Sequence, residues 1–281
     1  MSMINLKSKK SILCLDFSDL EGLSVIAKEK NKQYLSNRPF PHIVIDGLFP
    51  DKILEDIILD IGRIDHSEEK NFYGSVKKKS TSDLGLMGET TRRFLLDLNS
   101  SNFCNFLEEL TGISGLIPDP NFEGGGIHEI FRGGFLKIHT DFNWSKKLKL
   151  DRRINMLIYL NKDWDEKWGG ALELWDNDII KHVKVFPEFN RTVIFSTTDF
   201  SYHGHPDSLQ CPDSISRKSL ALYYYSYGRP SKEYKIKKNI NTVYVERSGE
   251  VFAKPKERYL FLKKLIPSTL IVLLKKIRRH Y

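Results

Sequence analysis

Apolar positions follow two different periods along this chain. Over 51–62, Ile53, Leu54, Ile57, Ile58 and Ile61 recur at helical spacing behind Pro50 and Asp51, which predicts an amphipathic helix with Asp51 as its N-cap. The same period returns over 91–98 and over 101–111, where Ser101 stands as a cap ahead of Phe103, Phe106, Leu107 and Leu110. A helix over 19–35 belongs to a polar, Lys-rich N-terminal extension, 1–36, and is expected to pack loosely or not at all. Pro39 and Pro41 favour extended geometry and Ile43 to Ile45 are β-branched, so 39–46 reads as an extended segment. Residues 65–90, with Lys77, Lys78 and Lys79, fit neither period and read as a mobile surface loop. Past the glycines at 124–126 the texture changes to seven short β-rich runs, 127–131, 135–140, 154–160, 171–175, 179–185, 192–195 and 219–225. Runs so closely spaced predict an antiparallel sandwich or jelly roll, mainly β with flanking helices. Gly169 and Gly170, directly before one run, have an architectural role in a tight turn.

Charge changes this picture at one end only. The net charge of +8 suggests an acidic partner until it is divided, because residues 229–281 hold 15 Lys and Arg against four Glu. The rest of the chain is slightly acidic, so nucleic-acid binding is not expected, and a basic tail provides solvation or weak contact with acidic surfaces. Over 256–281 basic clusters alternate with Leu260, Leu262, Leu265, Leu270, Ile271 and Leu274. That pattern suits a helix lying on an anionic membrane or one packed on the barrel, broken near Pro267. Its apolar run is too short to span a bilayer, and the N-terminal stretch is too short for a signal peptide. Cys14, Cys104 and Cys211 lie far apart without paired spacing, which argues against a disulfide framework or a zinc site and for a reducing, cytoplasmic setting. With 40% hydrophobic residues, 37–228 has the material for one domain with a substantial core, followed by the tail 229–281.

The chemistry is concentrated in the β-rich region. His139 and Asp141 end a predicted strand, and residues two apart in a strand share a face, so an imidazole and a carboxylate converge. His203 follows the run 192–195 and can close the site from across the barrel. Two His and one carboxylate, leaving one face of an octahedron open, form the facial triad of iron(II) oxygenases. His205 competes with His203, although Gly204 and Pro206 suggest a turn that takes the two out of alignment. Arg217 opens the last strand, and a guanidinium inside a barrel needs an anionic partner such as a bidentate carboxylate. Tyr159 can donate a second hydrogen bond to that carboxylate.

These residues resemble the prolyl 4-hydroxylase type of 2-oxoglutarate/Fe(II) dioxygenases. The resemblance runs from Pro39, Phe40, Pro41 and His42 to Tyr227. Tyr159 to Trp164 with Gly169 and Gly170 is similar to the oxygen-sensing prolyl hydroxylases, and 39–46 resembles the branch that hydroxylates a ribosomal-protein proline. The resemblance implies a double-stranded β-helix of jelly-roll, cupin-like form. It implies Fe(II) held by His139, Asp141 and His203, 2-oxoglutarate as co-substrate on Arg217 and Tyr159, and ascorbate as a candidate accessory. Two departures stand out: Phe131 replaces a tyrosine that often precedes the metal strand, and 206–214 lengthens the loop before Arg217, which could shape a different substrate pocket. A nucleic-acid demethylase would call for a second arginine where Tyr223 stands. The expected reaction is hydroxylation of an unactivated C–H bond rather than halogenation, since Asp141 fills the position a halide needs. The acceptor is open between a prolyl residue of a protein and a free small molecule or glycan, and a non-enzymatic cupin-like binding module is the remaining alternative.

Overall fold

The computed structural model describes residues 20–64, 70–72, 74–233 and 235–247. The chain divides into two compact units, Met1–Val245 and Glu246–Tyr281, and the fold described here is that of the first. The tail helix expected over 256–281 lies outside the described residues, as does Cys14. Among the described residues no helix is long and apolar enough to cross a membrane.

In chain order the elements are α1 (Leu20–Ser36), β1 (His42–Asp46), α2 (Asp51–Ile61), β2 (Lys70–Phe72), β3 (Ser75–Thr81), α3 (Glu89–Leu98), α4 (Ser101–Thr111), β4 (Ile117–Pro118), β5 (Gly126–Thr140), β6 (Trp144–Ser145), β7 (Leu150–Tyr159), β8 (Leu172–Trp175), β9 (His182–Val185), β10 (Arg191–Ser196), β11 (Tyr202–His205), β12 (Arg217–Ser226) and β13 (Val243–Tyr244). The sheet runs in the order β1-β10-β7-β12-β5-β11-β8-β9, with antiparallel pairing along it. This is the jelly-roll form of a double-stranded β-helix. β5 joins its two halves, because Ile127 to Ile130 pair with β12 while Leu136 and His139 pair with β11.

Strand alternation separates the two faces. Ile154, Met156, Ile158, Ile194, Leu220, Leu222 and Tyr224 face outward and join the apolar sides of the four helices in one core cluster. The residues between them, such as Asn155, Leu157, Phe195, Arg217 and Ser219, face the interior. Helices α2 and α4 form where the periodicity places them, with their caps one residue earlier. Pro50 caps α2 without a side-chain bond, and Ser100 caps α4 by accepting from the Phe103 amide at 3.3 Å. Asp51 is instead bonded by Asn190 Nδ2 at 2.6 Å.

Three expectations are corrected. Helix α1 does not pack loosely: Leu23, Ala27 and Tyr34 are fully buried, Asn31 bonds the end of α4, and the Tyr34 hydroxyl meets Ser196 Oγ at 2.8 Å. Its polar composition hides a narrow stripe of inward positions. The stretch 65–90 holds β2 and β3, and β3 pairs with β5 from Ser75 to Thr81. Lysines obscured this strand because backbone pairing, not an apolar face, secures it. The third correction concerns the tail: residues 229–245 belong to the first unit, since β13 adds to β5 and Glu233 pairs with the buried Arg153 through two bonds of 3.1 Å. Glu233→Ala is therefore expected to lower stability by about 2–3 kcal/mol, as removal of a partner from a buried cation does. A urea unfolding midpoint unchanged by this substitution would show that 229–233 is not structural.

Candidate active site

The interior face of the sheet encloses a cavity of about 230 Å³. His139 and His203 are register partners on β5 and β11. Opposed residues on one face of an antiparallel pair hold their side chains together, and the two ring centroids are 4.4 Å apart. Asp141, just past the end of β5, places Oδ1 3.4 Å from His139 Nε2 and Oδ2 3.5 Å from His203 Nε2. One ligand atom from each residue lies within 4.8 Å of the others, and no second cluster of this kind occurs among the described residues. Strand β13 brings Tyr244 opposite His139 on the other side, with the rings 5.4 Å apart.

Both imidazoles are oriented by their own strands. His139 Nδ1 donates to the Lys137 carbonyl at 2.7 Å and His203 Nδ1 donates to the Ser201 carbonyl at 2.9 Å. A carbonyl only accepts, so the proton sits on Nδ1 and the Nε2 lone pair is left for a metal. Burial, reinforced by the neighbouring His203, lowers the pKa of His139 and favours that neutral form.

The carboxylate is secured from behind by two residues of β7. Asp141 Oδ2 accepts from Arg152 Nη2 at 2.9 Å and from Asn155 Nδ2 at 2.7 Å. Arg152, 1% exposed, also donates through Nε and Nη2 to Asn155 Oδ1 and lies 3.4 Å from the Tyr223 ring centroid. A register shift between β7 and β12 at Tyr224 and Tyr225 accompanies the change of face that turns both Arg152 and Asn155 inward. Burial alone raises a carboxyl pKa, but Arg152 together with the two histidines outweighs it and holds Asp141 well below the usual carboxylate range.

Arg217 reaches the same cavity from β12. It is 4% exposed, donates from Nε to the Gly170 carbonyl at 2.7 Å and from Nη2 to the Tyr159 hydroxyl at 3.1 Å, and has no carboxylate partner among the described residues. Gly170 permits the close approach: its φ is +74°, and a Cβ there would meet Leu209 at 2.6 Å and Arg217 Cδ at 3.2 Å. Leu209 comes from the lengthened loop 206–214, which packs against Ile130 and Trp164. Tyr159 is fully buried, and burial raises its pKa against the opposing effect of Arg217, so the phenol stays protonated.

The structure thus brings together His139, Asp141, His203, His205 and Arg217 around one cavity, with Tyr159 behind Arg217. Sequence reading missed Arg152, Asn155 and Tyr244. For the first two, the available signal was Arg152, Arg153 and Asn155 standing beside Ile154 and Met156 to Ile158 in one strand. Phe131 does not line the cavity; Lys79 Nζ lies 5.1 Å over its ring. Two imidazoles with Nδ1 tied to carbonyls and one carboxylate, with an open side, fit a divalent iron, and a buried guanidinium without a carboxylate partner fits an anionic co-substrate.

Comparison with known proteins agrees with this chemistry. The family model of the 2OG-Fe(II) oxygenase superfamily matches residues 125–225, which carry both triad strands and Arg217. Prolyl 3-hydroxylase OGFOD1 of Mus musculus is 23% identical over 241 residues, covering 78% of this chain and 41% of its own length, so the chain spans less than half of that relative. Among solved structures, a prolyl hydroxylase of Trichoplax adhaerens in complex with a hypoxia inducible factor peptide fragment aligns with a TM-score of 0.56 at 16% identity, over 75% of this chain and 96% of its own. A prolyl 4-hydroxylase of Phytophthora capsici aligns with a TM-score of 0.52 at 19% identity, over 80% and 68%. At these identities the structural likeness is one of fold. Over residues 125–225 the family match to the 2OG-Fe(II) oxygenase superfamily, the fold and the donor set agree.

Proposed function

We propose that His139, Asp141 and His203 hold the iron, that Arg217 with Tyr159 binds the distal carboxylate of 2-oxoglutarate, and that the acceptor is a prolyl residue of a protein. The observation that carries the first two assignments is the guanidinium of Arg217, buried without a carboxylate partner among the described residues, in the same cavity as the triad. Bound iron and 2-oxoglutarate supply the oxidising chemistry, in which O₂ and the co-substrate yield succinate, CO₂ and one oxygen atom for a substrate C–H bond. The chain supplies placement. Arg152 and Asn155 occupy Asp141 Oδ2, which leaves Oδ1 as the free oxygen of the carboxylate. Leu157, Leu172 and Phe195 line the cavity with apolar surface that keeps water from the reacting centre.

The prolyl acceptor is supported by likeness to the mouse prolyl 3-hydroxylase. A cytoplasmic setting belongs to the same proposal, supported by the buried, unbridged thiols of Cys104 and Cys211. Incubation of the iron-loaded enzyme with 2-oxoglutarate and with prolyl peptides or free metabolites should give a mass gain of one oxygen on a peptide, coupled to succinate. Oxygen incorporation confined to free metabolites would reject the prolyl acceptor while leaving the oxygenase chemistry in place.

A further inference from the structure

His205 lines the triad cavity but is not one of the three clustered donors. It is 3% exposed, and neither ring nitrogen has a hydrogen-bond partner among the described residues. The other two histidines of the cluster each tie Nδ1 to a carbonyl of their own strand. An untethered, buried imidazole forfeits about 1–3 kcal/mol unless something else satisfies it.

Its position narrows what that partner can be. The β11–β5 pairing shifts register between His203 and His205, so that His203 faces His139 whereas His205 faces Leu136. Gly204 makes this possible: a Cβ there would meet the Leu136 and Lys137 carbonyl oxygens at 2.7 Å. His205 therefore lines the triad cavity together with Arg217. Its ring also borders a second, smaller cavity of about 100 Å³ lined by Gly170, Glu173 and Lys184, and Gly170 is the residue whose carbonyl receives Arg217 Nε. Arg217 and Lys78 line the triad cavity with His205.

We infer that His205 is a second protein donor to the distal carboxylate of the 2-oxo acid, placed beside Arg217 and outside the metal shell. A neutral imidazole has one N–H and one acceptor nitrogen. The N–H donates to a carboxylate oxygen in the triad cavity, and the other nitrogen accepts from water in the smaller cavity, which has room for it. The inference rests on the assignment of Arg217 to that carboxylate.

The test titrates 2-oxoglutarate, by calorimetry under anaerobic conditions, into the protein loaded with Mn(II) in place of iron. It is repeated with 2-oxopentanoate, the same chain without the distal carboxylate. His205→Leu and His205→Phe remove the donor while filling its space, and His205→Gln keeps one. Both apolar variants should weaken 2-oxoglutarate by roughly 10- to 100-fold, the worth of one hydrogen bond to a charged group, while leaving Mn(II) and 2-oxopentanoate binding unchanged. His205→Gln should recover most of the loss. Equal affinity of wild type and the apolar variants for 2-oxoglutarate overturns the role of His205, as does an equal loss for both acids. A wild type that does not distinguish the two acids overturns the Arg217 assignment itself. Loss of Mn(II) binding in both apolar variants would make His205 a metal ligand and likewise reject the inference.

Discussion

Alanine in place of His139, Asp141 or His203 should lower Fe(II) affinity by more than about 100-fold, because even the outer partners of a metal ligand are worth about 10–100-fold. His205→Ala should retain the metal, since its ring is not tethered to present a lone pair to the cluster. The three ligand substitutions will differ in stability. The two histidines can be removed without stranding a charge, whereas Asp141→Ala leaves Arg152 buried without its carboxylate and should cost about 3–5 kcal/mol of folding stability. Asp141→Asn keeps an acceptor for Arg152 and separates lost ligation from lost folding. Full occupancy in His203→Ala together with loss in His205→Ala, read by equilibrium metal titration, would transfer the ligand role to His205.

Arg217→Met is expected to act in opposite directions on binding and on stability. With the co-substrate bound, the guanidinium is half of a buried ion pair, and removing one half costs about 3–5 kcal/mol, or roughly 150- to 4,000-fold in 2-oxoglutarate affinity. In the free protein it is a buried cation held by a carbonyl and a phenol, and an apolar side chain of similar volume relieves that desolvation. The free variant should thus melt no lower than wild type. An unchanged 2-oxoglutarate affinity would show that another cation receives the carboxylate, and Lys78, which lines the same cavity, would be the residue to substitute next.

Much of this centre was legible before the structure. His139 and Asp141 could be placed on one face because a strand has a fixed period of two, and the helices because their apolar stripes repeat at fixed spacing. What escaped depended on pairing rather than on pattern. Lys77, Lys78 and Lys79 belong to a strand that only its partner β5 reveals. Arg152 and Asn155 are three apart and face the same way only where the β7–β12 register slips. The turn expected around Gly204 is instead a strand with a bulge, which separates His203 from His205 in register without exposing either. Helix α1 looked peripheral because its buried positions are few and its hydrogen bonds reach the distant α4 and β10.

β5 has a consequence for how the metal is felt by the molecule. It pairs with β3, β11, β12 and β13 and holds His139, a proposed ligand, with His203, another, directly across from it. A ligand-bearing segment at the rim could release the ion by fraying, with the rest of the domain intact. Here His139 cannot leave its place unless the strand common to these neighbours also separates. The ion's binding free energy is thus added to the cooperative unfolding of the whole domain, by RT ln(1 + [metal]/Kd), so chelation weakens distant strands and the site's own surroundings alike.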